Sequence, residues 1–78
     1  MVRDLVEFLC KSVVDQPEHV QVKQLEEHGL LRIEVRVAAD DMGKVIGRQG
    51  RMIGAIRQLA RAAAVKSGAG RVLVEVAE

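Results

Sequence analysis

Cysteine, proline and aromatic residues are almost missing from this chain: each class is represented once among its 78 residues. A single cysteine, Cys10, excludes an internal disulfide, and the two histidines, His19 and His28, have no partner at metal-ligand spacing. Because Phe8 is the only aromatic residue, the core must be built from Val, Ile, Leu and Ala. The composition therefore predicts a small reduced domain with no disulfide, metal ion or cofactor.

Long hydrophobic runs are also missing. The longest apolar runs span only a few residues, too short to cross a bilayer. Asp4 and Glu7 interrupt the N-terminal stretch, which argues against a signal peptide. We therefore expect a cytoplasmic protein without membrane contact, folded as one domain over residues 1–78.

Acidic residues are missing from positions 42–74. Residues 1–41 carry five basic and nine acidic side chains, whereas residues 42–74 carry seven basic ones and no acid. This segregation favours a basic face that meets phosphate, although a solvated helix whose acids lie elsewhere would give the same count. The seven basic residues are Lys44, Arg48, Arg51, Arg57, Arg61, Lys66 and Arg71.

The first half of the chain predicts a helix followed by a β-hairpin. Apolar residues recur every three or four positions from Val2 to Val13, which is typical of one helix face, and Pro17 ends that helix. Cys10 lies beside this stripe, so we expect it to be a buried small hydrophobic residue rather than a reactive thiol.

The hairpin is predicted from its turn. His28-Gly29 favours a two-residue loop with glycine in second place. Such a loop fixes the register and brings Lys23 opposite Glu34, an opposite-charge cross-strand pair. One face of the hairpin is then apolar and the other is polar.

The second half predicts two helices separated by a glycine-rich turn. Asp40 or Asp41 is expected to cap a short helix over residues 42–46. The stretch at 47–50 breaks that helix, and a longer helix follows from 51 to about 67.

A loop and a third strand complete the expected fold. Gly68 is placed at the helix C-cap, and residues 71–76 alternate as a strand. The predicted order is α-β-β-α-α-β. This is an α+β fold with a three-stranded mixed sheet, centred on the strand at 30–38 and covered by three helices on one face.

Glycines frame the turn Gly47-Arg48-Gln49-Gly50 directly before the longer helix. A helix start offers unpaired N–H groups and a positive dipole end, where anions bind readily. Glycine also lets a sugar-phosphate backbone approach without meeting a Cβ. Neither G-x-G-x-x-G nor a G-K-[ST] ending is present, so a nucleotide-binding enzyme is not expected.

The sequence VIGRQGRMI, residues 45–53, resembles the signature of the KH domain, an I-G-x-x-G-x-x-I pattern between two helices. Its fixed positions are filled by Ile46, Gly47, Gly50 and Ile53. The predicted element order is similar to that of type II, prokaryotic KH domains, and the resemblance covers essentially the whole chain. A chain of this length resembles the family of small bacterial single-domain KH proteins, the KH-domain RNA-binding protein A family.

This resemblance implies single-stranded RNA binding, with the G-x-x-G loop clamping about four nucleotides of backbone. The groove of the family maps onto residues 44–53 on one side and 66–74 on the other. The residues to which the resemblance assigns RNA contact are Lys44, Ile46, Gly47, Arg48, Gln49, Gly50, Arg51, Ile53 and Arg71.

Different roles are implied within that set. Gly47 and Gly50 would present N–H groups to phosphate, with the polar and basic residues around them on phosphate or sugar. Ile46 and Ile53 would offer an apolar floor to bases, or would pack in the core instead. Arg71 would reach base edges. By contrast, Arg57 and Arg61, farther along the helix, are expected to attract RNA at long range.

The family resemblance implies a non-catalytic RNA chaperone or post-transcriptional regulator linked to bacterial growth and division. It also implies a homodimer, or a heterodimer with a second KH-containing protein. Because the chain lacks aromatic platforms, we expect backbone-led binding of weak base selectivity. The alternative is a protein-interaction module that uses the KH scaffold for dimerisation. An enzyme is not expected, since Ser12 and Ser67 lack G-x-S-x-G surroundings.

Overall fold

The computed structural model describes residues 2–68 and 70–78. Within these residues the predicted α-β-β-α-α-β order is confirmed. The helices are α1 (Val2–Val13), α2 (Met42–Ile46) and α3 (Arg51–Lys66), and the strands are β1 (Gln21–Glu27), β2 (Leu30–Arg36) and β3 (Arg71–Ala77). Short 3-10 turns lie at Pro17–His19, Ala39–Asp41 and Arg48–Gly50. No helix in the described part is long and apolar enough to cross a membrane.

The three strands form one mixed sheet in the order β1-β2-β3. β1 and β2 are antiparallel and Lys23 faces Glu34, as the sequence predicted. His28 and Gly29 both have positive φ, +48° and +80°, which is the backbone of a tight hairpin turn that matches strand twist. β2 and β3 are parallel, so β2 is the central strand and β3 forms an open edge.

The core lies between one sheet face and the helices, and it is aliphatic. α1 buries Val2, Val6 and Cys10, while Leu5 and Leu9 from the same predicted stripe are only half-buried. Cys10 is fully buried as predicted, and burial raises the pKa of its thiol to about 11. Full burial of an aliphatic side chain stabilises a fold by roughly 1.5–3 kcal/mol. The other core residues include Val22, Leu31, Ile33, Val35, Val45, Ile53, Ile56, Ala60, Ala64 and Val74.

Asp41 is buried, and its side chain accepts hydrogen bonds from other residues than the helix cap predicted for it. It directly precedes α2, but its side chain makes no capping hydrogen bond to that helix. Its Oδ1 instead accepts the N–H of Asp15 at 3.1 Å, and its Oδ2 accepts the N–H of Gln16 at 3.0 Å. A buried carboxylate therefore satisfies two main-chain donors where the chain leaves α1. Asp41 fixes the start of α2 against the end of α1.

The ionisation of Asp41 follows from these contacts. Burial opposes the charged form, but the N–H groups of Asp15 and Gln16, together with the Lys44 ammonium, outweigh it and lower the pKa of the carboxyl below the ordinary 3.8. A lowered pKa in the folded state contributes stability that is present above the unfolded pKa. That stability is lost as the pH falls through the folded value.

We expect Asp41→Asn to lower the Tm at pH 7 by roughly 5 °C or more. The asparagine side chain has only one accepting oxygen, so its NH2 group would stand against one of the two N–H groups that Asp41 now accepts. Thermal unfolding followed by circular dichroism measures the change. Asp40→Asn, at the exposed neighbouring position, is the matched control and should leave the Tm unchanged. The gap between wild type and Asp41→Asn should shrink as the pH falls below 3.8. A gap that persists unchanged at lower pH would contradict the assignment.

Candidate nucleic-acid interface

The chain turns between α2 and α3 through a hydrogen-bonded 3-10 turn. The Gly47 N–H donates to the Gly43 carbonyl at 2.8 Å and completes the last turn of α2. The Gly50 N–H donates to the Gly47 carbonyl at 3.1 Å. The prediction that Gly47 and Gly50 present their N–H groups to phosphate is therefore wrong, because one donor is used by α2 and the other inside the loop.

The available donors are the N–H groups between those glycines. Arg48 and Gln49 open the 3-10 turn, and among the described residues neither donates its N–H to another group. Both are exposed. Gln49 has φ +57° and ψ +28°, a left-handed conformation that is uncommon outside glycine and recurs at functional sites. Two successive main-chain donors directly before α3 are thus without a hydrogen-bond partner among the described residues.

The two loop glycines are required for different reasons. At Gly47, with φ +78°, a Cβ would lie 2.6 Å from Met52 Cβ and 2.7 Å from Met52 N. This position therefore admits only glycine, because α3 begins against it. At Gly50, with φ +74°, a Cβ would meet nothing within 4 Å. Gly50 is thus needed for its backbone conformation, and the space in front of it stays open.

The two isoleucines of the signature occupy different environments. Ile53 is 5% exposed and belongs to the core, so for this residue the structure favours packing over a floor for bases. Ile46 is half-buried, packed against the core with part of its surface open. Of the two, Ile46 therefore retains apolar surface beside the loop.

The cations near the loop are not equivalent. Lys44 Nζ lies 3.1 Å from Asp15 Oδ2 and 3.7 Å from Asp41 Oδ1, and Asp15 above all raises the pKa of Lys44. Its charge is therefore already paired. Arg48 and Arg51 are exposed and have no carboxylate within 4 Å among the described residues. Arg51 Nη2 donates a long hydrogen bond to Gln49 Oε1, at 3.4 Å.

A cleft lies beside α3 from Arg57 to Val65, between that helix and β3. Near the middle of α3 the cleft widens into a hollow of about 230 Å³, lined by Arg57, Arg61, Val72, Leu73 and Val74. Towards the end of α3 lies a second hollow of about 290 Å³, lined by Arg61, Ala64, Val65, Gly70, Arg71 and Val72. The two hollows share Arg61 and Val72, so they form one cleft (the α3–β3 cleft). Arg71 lies in it, on the side where the sequence placed it.

Arg57 differs from its predicted role as a remote source of charge. Its Nε and Nη2 donate to the Val74 carbonyl at 3.3 and 3.1 Å, so the side chain bridges α3 and β3. Neither Arg57, Arg61 nor Arg71 has a carboxylate partner in the described part of the chain. The sequence carried no local signal for the Arg57 bridge, because it depends on how α3 lies over the edge strand.

Together these features describe a site for an extended polyanion. Free N–H groups at the loop can hold one phosphate, while unpaired arginines continue along the cleft and attract further ones. No group of three metal-ligating side chains occurs within the described residues.

Comparison with known proteins identifies close relatives. The sequence model of the family described as the KhpA/KhpB KH domain matches residues 3–76 of this chain. The RNA-binding protein KhpA of Caldanaerobacter subterraneus subsp. tengcongensis is 48% identical over 73 residues, covering 94% of this chain and 96% of the relative. KhpA of Clostridium acetobutylicum is 47% identical over 74 residues, covering 95% and 97%. KhpA of Aquifex aeolicus is 40% identical over 76 residues, covering 97% and 95%.

Two solved structures share the fold. One is an Era variant from Aquifex aeolicus bound to GDP·AlF4−, with a TM-score of 0.66 and 18% identity. The other is Era in complex with MgGDPNP and nucleotides 1506–1542 of 16S ribosomal RNA, with a TM-score of 0.67 and 17% identity. The match covers 97% and 96% of this chain but only 30% and 28% of theirs. At this identity the likeness concerns the fold alone.

Alanine at the two loop glycines should separate their roles. Gly50→Ala is expected to cost about 1–2 kcal/mol, the usual penalty of a left-handed conformation. Gly47→Ala should cost at least about 3 kcal/mol, because backbone strain is added to a clash with Met52. Urea unfolding measures the loss in free energy of unfolding for each variant, provided that the m-values of the variants and the wild type are equal. Equal destabilisation, or a Gly50→Ala variant that is the less stable of the two, would contradict this account.

Proposed function

The chain belongs to the KhpA/KhpB family of KH domains, and from that premise we propose that it binds single-stranded RNA. The Arg48 and Gln49 N–H groups hold one phosphate, and the nucleotides next to it lie in the α3–β3 cleft. The observation that carries this proposal is the pair of adjacent free N–H groups beside unpaired arginines. Relatives of near-equal length are named RNA-binding proteins, which supports RNA as the ligand.

The form of the site favours a single strand. The α3–β3 cleft lies between one helix and one edge strand, and sequence-specific readers of RNA take unpaired bases that can be splayed out. The only aromatic residue, Phe8, is exposed on α1 rather than in the cleft. Binding therefore rests on the RNA backbone more than on stacking.

In the cell we assign this chain a non-catalytic role in the cytoplasm, as an RNA chaperone or post-transcriptional regulator connected with bacterial growth and division. A short cleft that holds about four nucleotides suits a protein that gains affinity by pairing with a second RNA-binding module. We further propose that residues 1–78 act as one KH domain.

The loop can be tested by charge. The double variant Arg48→Asp, Gln49→Asp is expected to weaken binding to a labelled single-stranded RNA by at least about tenfold, roughly 1.4 kcal/mol, because both new carboxylates face the phosphate. The double variant Lys23→Asp, Gln24→Asp makes the same change in charge on β1, the sheet edge opposite β3. Fluorescence anisotropy should show that this control binds as wild type does. Equal affinities for both folded double variants would refute the role of the loop.

Salt provides an independent measure. If two to four phosphates are neutralised, log K should fall with log salt with a slope of about −1.4 to −2.8. The slope of the loop variant should be smaller in magnitude by about 0.7 for each phosphate that the variant no longer neutralises. A salt-independent affinity for RNA would contradict electrostatic gripping of the backbone.

A second candidate function, the assembly of protein partners, is favoured by one face of α3. Met52, Ala55, Leu59 and Ala62 are all exposed, and Met52 and Leu59 are 36% and 48% exposed. Their spacing of three, four and three residues is that of an apolar helix-pairing seam. We propose that a second copy of the chain, or a second KH-containing protein, packs on this seam.

Leu59→Glu should abolish such association while the fold is kept, since it places a charge in the middle of the seam. Light scattering coupled to size exclusion measures the mass of wild type and variant. Phe8→Glu changes another exposed apolar residue, on α1, and should leave the mass unchanged. If the wild type alone is monomeric, the same comparison is made with a KH-containing partner. Association that survives Leu59→Glu would place the interface elsewhere.

A further inference from the structure

We propose that Asp15 competes with RNA for Lys44 and thereby lowers the affinity of the chain for RNA. In the free chain the Asp15 carboxylate pairs with the Lys44 ammonium, and a bound RNA phosphate replaces that carboxylate. The inference rests on the proposed function. It adds to that function a residue just past the end of α1, outside the loop and the α3–β3 cleft, which limits how tightly RNA is held.

The two carboxylates beside Lys44 are held differently. Asp41 is 1% exposed, and its two oxygens accept the main-chain N–H groups of Asp15 and Gln16. The Asp15 side chain is 74% exposed, and within the described residues its carboxylate has only the Lys44 ammonium as a partner, at 3.1 Å. An exposed ion pair contributes little free energy, because water can replace either partner. The pair with Asp15 can therefore be broken while Asp41 stays in place.

The main chain keeps Asp15 beside Lys44. The Asp15 N–H donates to Asp41 Oδ1 at 3.1 Å, and Asp41 lies three residues before Lys44, where α2 begins. A buried hydrogen bond thus fixes the backbone from which the Asp15 carboxylate extends. Less conformational freedom is lost when such a pair forms than when two unrestrained side chains meet. The Asp15–Lys44 pair is therefore formed before RNA arrives.

Lys44 can reach the loop from its position in α2. The Gly47 N–H bonds to the Gly43 carbonyl, so the last helical turn extends as far as Gly47. Residues three apart in a helix are neighbours, with about 5–6 Å between their Cβ positions, and Lys44 is three residues before Gly47. Lysine carries its ammonium on a flexible four-carbon stem. The ammonium can therefore turn from Asp15 to a phosphate at the free N–H groups of the loop without a shift of α2.

The cost of this exchange is specific to Lys44. Arg48 and Arg51 have no carboxylate within 4 Å in the described part of the chain, so RNA meets them without breaking an ion pair. Lys44 must exchange a carboxylate for a phosphate, and the free energy of its pair with Asp15 is subtracted from that of RNA binding. Asp15 therefore opposes binding although it does not touch the RNA.

The test measures affinity for a labelled single-stranded RNA by fluorescence anisotropy. Asp15→Asn removes the competing charge and keeps the main-chain hydrogen bond to Asp41. RNA should then bind about two- to fivefold more tightly, the range that an exposed ion pair supplies.

Asp40→Asn is the matched control. It removes the same charge from an exposed position that has no ion pair among residues 2–68 and 70–78. Salt screens such a charge, so the affinity should change by less than about 1.5-fold. Circular dichroism shows whether each variant is folded, and Asp15→Ser makes the same test if Asp15→Asn is not.

A double-variant cycle separates competition for Lys44 from general repulsion of RNA. In a Lys44→Gln background Asp15 has no ammonium to withhold, so adding Asp15→Asn should leave the affinity unchanged. No gain from Asp15→Asn would overturn the competition and leave the proposed function standing. So would an equal gain from Asp40→Asn, or a gain that persists in the Lys44→Gln background. Failure of the wild type to bind RNA would overturn the proposed function itself.

Discussion

The structure depends on how the chain passes Gly47. Its N–H completes α2 by bonding to the Gly43 carbonyl, and its positive φ turns the chain so that α3 starts directly against it. There is no room for a side chain beside Met52. Because the chain leaves the helical conformation at Gly47, with φ +78° and ψ +171°, the next two N–H groups, on Arg48 and Gln49, are left without partners in the described chain. The free donors are thus a consequence of the helix ending.

The basic residues of the second half of the chain form a positively charged surface that includes the loop. The acid-free segment at 42–74 contains α2, the loop, α3 and the start of β3. Its arginines therefore lie either at the loop or in the α3–β3 cleft. Lys44 differs from these arginines, because the carboxylates of Asp15 and Asp41 pair with its ammonium group. The acidic first half of the chain therefore supports the scaffold and leaves the arginines of the second half available.

Most of the fold was predictable because it follows from local patterns. The hairpin register came from the His28-Gly29 turn, and the helices came from apolar periodicity. The prediction was wrong where contacts between distant residues decide the outcome. The carboxylate of Asp41 satisfies N–H groups at the end of α1 instead of capping its own helix, and Arg57 bridges to a strand carbonyl. Which loop N–H groups are free depends on hydrogen bonds of Gly47, which residue types alone do not specify.

Amide resonances of the loop provide the most direct test of the central claim, that the free main-chain donors of Arg48 and Gln49 grip an RNA phosphate. In a titration of ¹⁵N-labelled protein with a short single-stranded RNA, followed by NMR, those two amides should be among the most strongly shifted. Amides of residues lining the α3–β3 cleft should follow, and those of β1 should stay in place. A complex that forms while the Arg48 and Gln49 amides do not move would contradict the account.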